Sequence, residues 1–187
     1  MKQAYYGLLL LLLSCMLMGC EEEEKLPALP KPGDDKILKE VFNVTFWFSE
    51  FGNLKAKLET GKVTEKNDGK PENPQIYHYL TNGVTIHFYD ATGKPETRIT
   101  CKEGRLNKAD NMAELNGNVV VTRLSDNAML RTEQLFWEEK KSKLYSLVHT
   151  SIQEPDRDLE GEYFESNTSF TRFQLSKAKG EMKVNQL

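Results

Sequence analysis

From Val41 onward, apolar and polar residues alternate with period two. Phe42, Val44, Phe46 and Phe48 fall on one face; Asn43, Thr45, Trp47 and Ser49 fall on the other. Alternation of aromatic and β-branched residues marks a strand with one buried face. Leu54, Ala56 and Leu58 resume the pattern beyond Phe51-Gly52-Asn53, which reads as a turn. Val84, Ile86 and Phe88 repeat it between two further turn signals, Thr81-Asn82-Gly83 and Asp90-Ala91-Thr92-Gly93. Ala113, Leu115, Gly117, Val119 and Val121 alternate with Glu114, Asn116 and Asn118, and shorter runs follow at 144–148, 163–164 and 170–175. No long amphipathic helix fits residues 41–187; residues 37–42 allow one helical turn at most. The pattern predicts an all-β chain.

A weak repeat overlies the strands. Units open at Ile99, Leu130 and Leu159, spaced by about thirty residues. Each reads as a strand, a charged turn and a second strand. A unit of that size cannot bury its own apolar face, so the units are expected to stack.

The N-terminus has a different pattern. Lys2 precedes an apolar stretch over residues 5–13, and small or apolar residues lead to Cys20. The stretch is short for a bilayer span, which needs roughly 20 residues. A charged start, an apolar middle and a small exit describe a secretory signal. Leu17-Met18-Gly19-Cys20 is similar to the bacterial lipobox, in which the Cys sulfur is acylated and the chain is cut before it. The expected organisation is a lipoprotein signal over 1–19, a lipidated Cys20 and acidic, Pro-containing linker over 20–40, and a β-domain over 41–187. Glu21 to Glu24, Pro27, Pro30, Pro32 and Gly33 give the linker little to bury.

Composition narrows the function. The net charge of −3 argues against a nucleic-acid partner. Of three cysteines, Cys15 leaves with the signal and Cys20 takes the lipid. Cys101 then stands alone as a small core residue, with no intrachain disulfide to form. His78, His87 and His149 lack metal-ligand spacing, and no nucleophile elbow, phosphate loop or paired-Cys site occurs. Glu138-Glu139 with Lys140, Lys141 and Lys143 reads as a charged hairpin turn. The sequence therefore predicts binding rather than catalysis, with no metal and no cofactor.

Four motifs in order carry a family resemblance: Ser49-x-x-Gly52-x-Leu54; Gly83-Val84-x-Ile86-x-Phe88-Tyr89-Asp90; Leu115-x-Gly117-Asn118-Val119-Val120-Val121; and Leu130-x-Thr132-Glu133-x-Leu135-x-Trp137. Together they span most of residues 41–175, and the chain resembles the LptC family of lipopolysaccharide-export bridge proteins. The resemblance implies a twisted, partly open, OstA-like β-jellyroll of stacked antiparallel strands. Its interior would carry the acyl chains of lipopolysaccharide. Better-known members have an N-terminal spanning helix where this chain has a lipobox.

The trough expected from the apolar faces comprises Phe42, Val44, Phe46, Phe48, Ile86, Phe88, Leu115, Val119 and Val121. By resemblance, an N-terminal edge with Val41, Asn43 and Thr45 docks on the β-domain of an inner-membrane ABC transporter's membrane subunit. A C-terminal edge with Met182 and Val184 receives an LptA-like periplasmic bridge protein. Open edges offer unpaired N–H and C=O groups for such pairing. The expected location is the periplasm, lipid-anchored to the inner membrane. The alternative is a surface or outer-membrane lipoprotein that binds glycan or protein through a closed β-sandwich; Glu21 to Glu24 do not decide between the two membranes.

Overall fold

A computed structural model describes residues 37–183, apart from Pro71 and Lys108. Its strands are β1 (Ile37–Glu50), β2 (Asn53–Asn67), β3 (Ile76–Tyr89), β4 (Pro95–Cys101), β5 (Glu103–Asn107), β6 (Met112–Arg123) and β7 (Met129–Glu138). They continue as β8 (Lys143–Ser146), β9 (Thr150–Gln153), β10 (Arg157–Gly161), β11 (Tyr163–Asn167), β12 (Phe173–Ser176) and β13 (Lys179–Met182). A 3-10 turn, Glu139–Lys141, joins β7 to β8. Among the described residues the strands make one 13-stranded antiparallel sheet, the all-β architecture that a stacked jellyroll requires.

The long strands each serve two walls. Residues 84–89 of β3 pair with β4, whereas 77–80 pair with β5. In β6, residues 120–123 pair with β4 and 112–116 with β5. In β7, residues 129–132 pair with β9 and 136–138 with β8. One wall therefore holds β4, β9, β10 and β13, and the other holds β5, β8, β11 and β12. Strands β1, β2, β3, β6 and β7 run through both. Rings from opposite walls meet: Phe88 and Phe48 each pack edge-on against Trp137, and Phe46 stacks on His78.

A seam of left-handed backbone separates the walls. Asn43 (φ 52°), Asn82 (φ 63°), Gly83 (φ 84°), Gly117 (φ 76°) and Asn118 (φ 50°) lie along it. Only Gly, and to a lesser degree Asn, adopts this region at low cost. The register slips between Thr60 and Lys62 on β2, and between Asn116 and Val119 on β6, as bulges do when they bend a strand. Gly61 is needed for space: a Cβ there would lie 2.8 Å from the Asn82 Cβ.

The bend interrupts the ladder, and nearby groups recover its hydrogen bonds. Lys102 N donates to Gly117 O at 3.0 Å, and Gly83 N donates to Lys102 O at 3.2 Å. Thr60 Oγ1 donates to Thr81 O, and Thr132 Oγ1 to His149 O, each at 2.9 Å. This accounts for the burial of Thr60 and Thr132, since a buried polar group needs a partner.

Three local expectations change. Thr81-Asn82-Gly83 is not a turn between strands but a bulge within β3. Residues 37–42 are strand from the outset, not helical. Phe42 does not share the inward face of Val44, Phe46 and Phe48. Across the left-handed Asn43 the faces exchange, so Val41 lies opposite the buried Val63 and Phe42 opposite Lys62.

Candidate apolar trough and sheet edges

The interior is continuous but unevenly closed. Ile86, Leu115, Val119 and Val121 are fully buried, and Phe88 nearly so. Val44, Phe46 and Phe48 on β1 are only half-buried against this core. Facing them is a cavity of about 270 Å³, bounded by Phe46 and Phe48, by Leu106 and Asn107 of β5, and by Met112, Ala113 and Trp137. Asn111 and Glu139 stand at its rim. Of the nine expected trough residues the cavity collects two, Phe46 and Phe48. Phe42 lies outside, 61% exposed, with the Lys62 ammonium 5.7 Å from its ring centre.

Leu106, Met112 and Trp137 complete the cavity, and the apolar alternation did not assign them to the trough. The signal for Trp137 was present but shifted. Leu130 and Thr132 face inward, and so do Leu135 and Trp137, with the face exchanged between them at the seam. Phe136 points outward and stacks on Tyr145 at 4.9 Å.

Trp137 is the hub of this half. Phe48 lies 4.9 Å and Phe88 5.0 Å from it, at interplanar angles of 76° and 84°. Edge-on geometry of this kind places a positive ring edge against a negative face. No described protein group accepts a hydrogen bond from the buried indole N–H. At the rim, burial raises the Glu139 carboxyl above its usual pKa, and the Glu50 charge adds to that.

A larger hollow of about 490 Å³ lies along β6, β7 and β9. It collects Arg131, Glu133 and His149, and of the expected trough residues only Val119. Val120 and Val148 also line it, and its full charges are Arg131 and Glu133, where the Phe46–Trp137 cavity has only Glu139.

The far half of the interior is closed by aromatic rings. Phe164, Phe170 and Phe173 lie 5.7–6.2 Å apart. Phe170, fully buried in the β11–β12 connection, bridges the walls. Arg123, at the end of β6, donates from Nη1 to Phe170 O at 2.7 Å and lies 5.5 Å over its ring. The same guanidinium bonds Asp126 at 2.9 and 2.7 Å and Glu154 at 3.0 Å. Arg157 Nε donates to Glu154 at 2.6 Å. The hydrogen bond from Arg123 is the first cause holding the Asp126 carboxyl below its usual range.

At one end of the sheet β1 pairs only with β2, so its other edge meets no described strand over 14 residues. Val41, Asn43 and Thr45 are exposed there, beside Phe42 and Trp47. At the other end β13 pairs only with β10, and Met182 is 80% exposed. Val184 and Cys20 lie outside the described residues. Cys101 is buried, and burial pushes its thiol up to about 12, far from the range of a reactive thiolate.

Among the described residues no helix is long and apolar enough to cross a membrane. A search of curated proteins finds no match. The family model described as "LptC: Lipopolysaccharide-assembly, LptC-related" matches residues 7–182. That family comprises transport bridge components rather than enzymes, periplasmic and attached to the inner membrane. With the match covering most of the chain and the strands forming one antiparallel sheet, this protein belongs to the LptC family and has a role in lipopolysaccharide transport.

Proposed function

We propose that this chain receives lipopolysaccharide from an inner-membrane ABC transporter and passes its acyl chains along the interior to the next bridge protein. The carrying observation is the apolar cavity between Phe46 and Phe48 on one side and Leu106, Met112 and Trp137 on the other. Hydrocarbon needs a dry, apolar lining, and the half-buried rings of β1 are the interior side chains that a ligand would cover further. Ile86, Phe88, Leu115, Val119 and Val121 form the floor that holds these rings in place.

The unpaired side of β1 serves as the docking edge for the transporter's β-domain by strand addition, with Phe42 and Trp47 as exposed apolar contacts. The β12–β13 end faces the LptA-like partner. Cys20 carries the acyl anchor that keeps the domain at the inner membrane, in place of a spanning helix.

A photo-crosslinking residue at Phe46 should trap lipopolysaccharide in cells, whereas one at the outward-facing Lys57 should not. Labelling at Lys57 alone would overturn the trough. Depleting the protein should leave lipopolysaccharide accumulating at the inner membrane, and the transporter should co-purify with the full chain.

A further inference from the structure

The two halves of the interior differ in a way that bears on where cargo can go. Between β1 and β7 the walls enclose a cavity. Beyond it, Phe170 enters from the β11–β12 connection and the walls are tied together by Arg123. We propose that Phe170, latched by Arg123, is the closure that ends the lipid-accessible part of the trough. The proposal rests on the trough reading above and adds its limit and the residues that set it.

The connection is shaped to present this ring. Phe170 has left-handed backbone (φ 51°), which a bulky residue adopts only when its surroundings impose it. Asn167 imposes it locally. Its Oδ1 accepts from Thr171 N at 3.1 Å and Arg172 N at 3.2 Å, and its backbone O accepts from Phe170 N at 3.0 Å.

The latch is polar and largely buried, with the Arg123 side chain 13% and the Glu154 side chain 7% exposed. Arg123 is held by Asp126 and Glu154, so its guanidinium is already oriented when it meets Phe170 O. Such a latch can open without dismantling the sheet. The Phe170 carbonyl and ring leave together, and Arg123 keeps both carboxylates. With the latch closed, acyl chains are confined to the Phe46–Trp137 half. Cargo advances toward β12 only when Phe170 withdraws.

The test uses the full chain with leucines replaced by photo-leucine, irradiated with purified rough-type lipopolysaccharide and mapped by mass spectrometry. Photo-leucine keeps the size of the side chain and leaves the core packed. In the wild-type protein Leu106, which lines the cavity, should be labelled, and the fully buried Leu130 and Leu144 should not. In Phe170→Ala and Arg123→Gln, checked by circular dichroism for retained strand content, Leu130 and Leu144 should gain labelling. Labelling of Leu130 and Leu144 at the Leu106 level in the wild-type chain would overturn the closure, whatever the variants do. So would a folded Phe170→Ala variant with the wild-type map. Silence at Leu106 together with the rest of the interior would instead overturn the trough reading itself.

Discussion

Replacing Trp137 tests how the open half is held. The side chain is 3% exposed and takes edge-on contacts from Phe48 and Phe88 on the facing wall. Truncating a buried Trp to Ala costs about 3–5 kcal/mol. Each aromatic pair contributes about 0.5–1.5 kcal/mol beyond its buried area. Against this, the indole N–H is buried without a protein acceptor, and an unsatisfied donor costs about 1–3 kcal/mol. Both Trp137→Ala and Trp137→Phe shed that donor, but only Phe keeps a ring between Phe48 and Phe88. Trp137→Phe should therefore lie within about 1 kcal/mol of wild type, because the lost ring area and the relieved donor oppose each other. Trp137→Ala should lose about 3 kcal/mol, since packing outweighs the relief. Urea denaturation followed by circular dichroism measures both. If Trp137→Phe proves as damaging as Trp137→Ala, the indole N–H is satisfied and the hub argument fails.

Three further outcomes are expected. Gly83→Ala should cost about 1–2 kcal/mol from backbone strain alone, because a Cβ there meets nothing within 4 Å; an unchanged urea midpoint would remove Gly83 from the seam. Ala113→Leu should fill part of the Phe46–Trp137 cavity and raise the melting temperature while lowering lipopolysaccharide crosslinking at Phe46, and undiminished crosslinking would separate the cavity from binding. The raised Cys101 thiol makes the folded state favour the protonated form, so its contribution is complete below the unfolded value of 9.0. That contribution is lost as pH rises toward about 12, and the stability of Cys101→Ala should fall less over that window than that of wild type.

The alternation in the sequence identified strands such as β3 and β6 because one face of each is buried, and burial leaves a period-two record. It misplaced Phe42 because alternation presumes a regular strand, and one left-handed residue, Asn43, exchanges the faces. The same presumption turned Thr81-Asn82-Gly83 into a turn between strands, although such residues serve equally to bend a strand. Gly61, Asn82-Gly83 and Gly117-Asn118 recur within runs otherwise suited to strands, and this recurrence was the readable trace of a seam. The cavity left less trace. Leu106, Met112 and Trp137 belong to different strands, and their convergence depends on how the walls face each other across the seam. Phe170 was legible as an apolar residue, but its hold by Arg123 spans 47 positions and has no local signature.

The unfilled space is informative because it is costly. At about 24 cal/mol per Å³, a sealed cavity of about 270 Å³ would forgo about 6 kcal/mol, comparable to the whole stability of many domains. Opening to the rim lowers this figure but does not abolish it. A single larger residue at Ala113 would recover part of it, so the space is not forced by the fold. On the proposed function, its value lies in what would move through it. A methylene entering the trough from water gains about 0.8 kcal/mol, but one entering from the bilayer leaves one dry hydrocarbon setting for another and gains almost nothing. Used as proposed, the trough would lower the barrier between membranes without fixing the direction of flow. A perfectly complementary lining would bind acyl chains too tightly to release them, whereas half-buried phenyl rings beside an open rim bind weakly enough to let go. In that scheme directionality would come from the transporter's ATP-driven step and from the opening of the Phe170 closure.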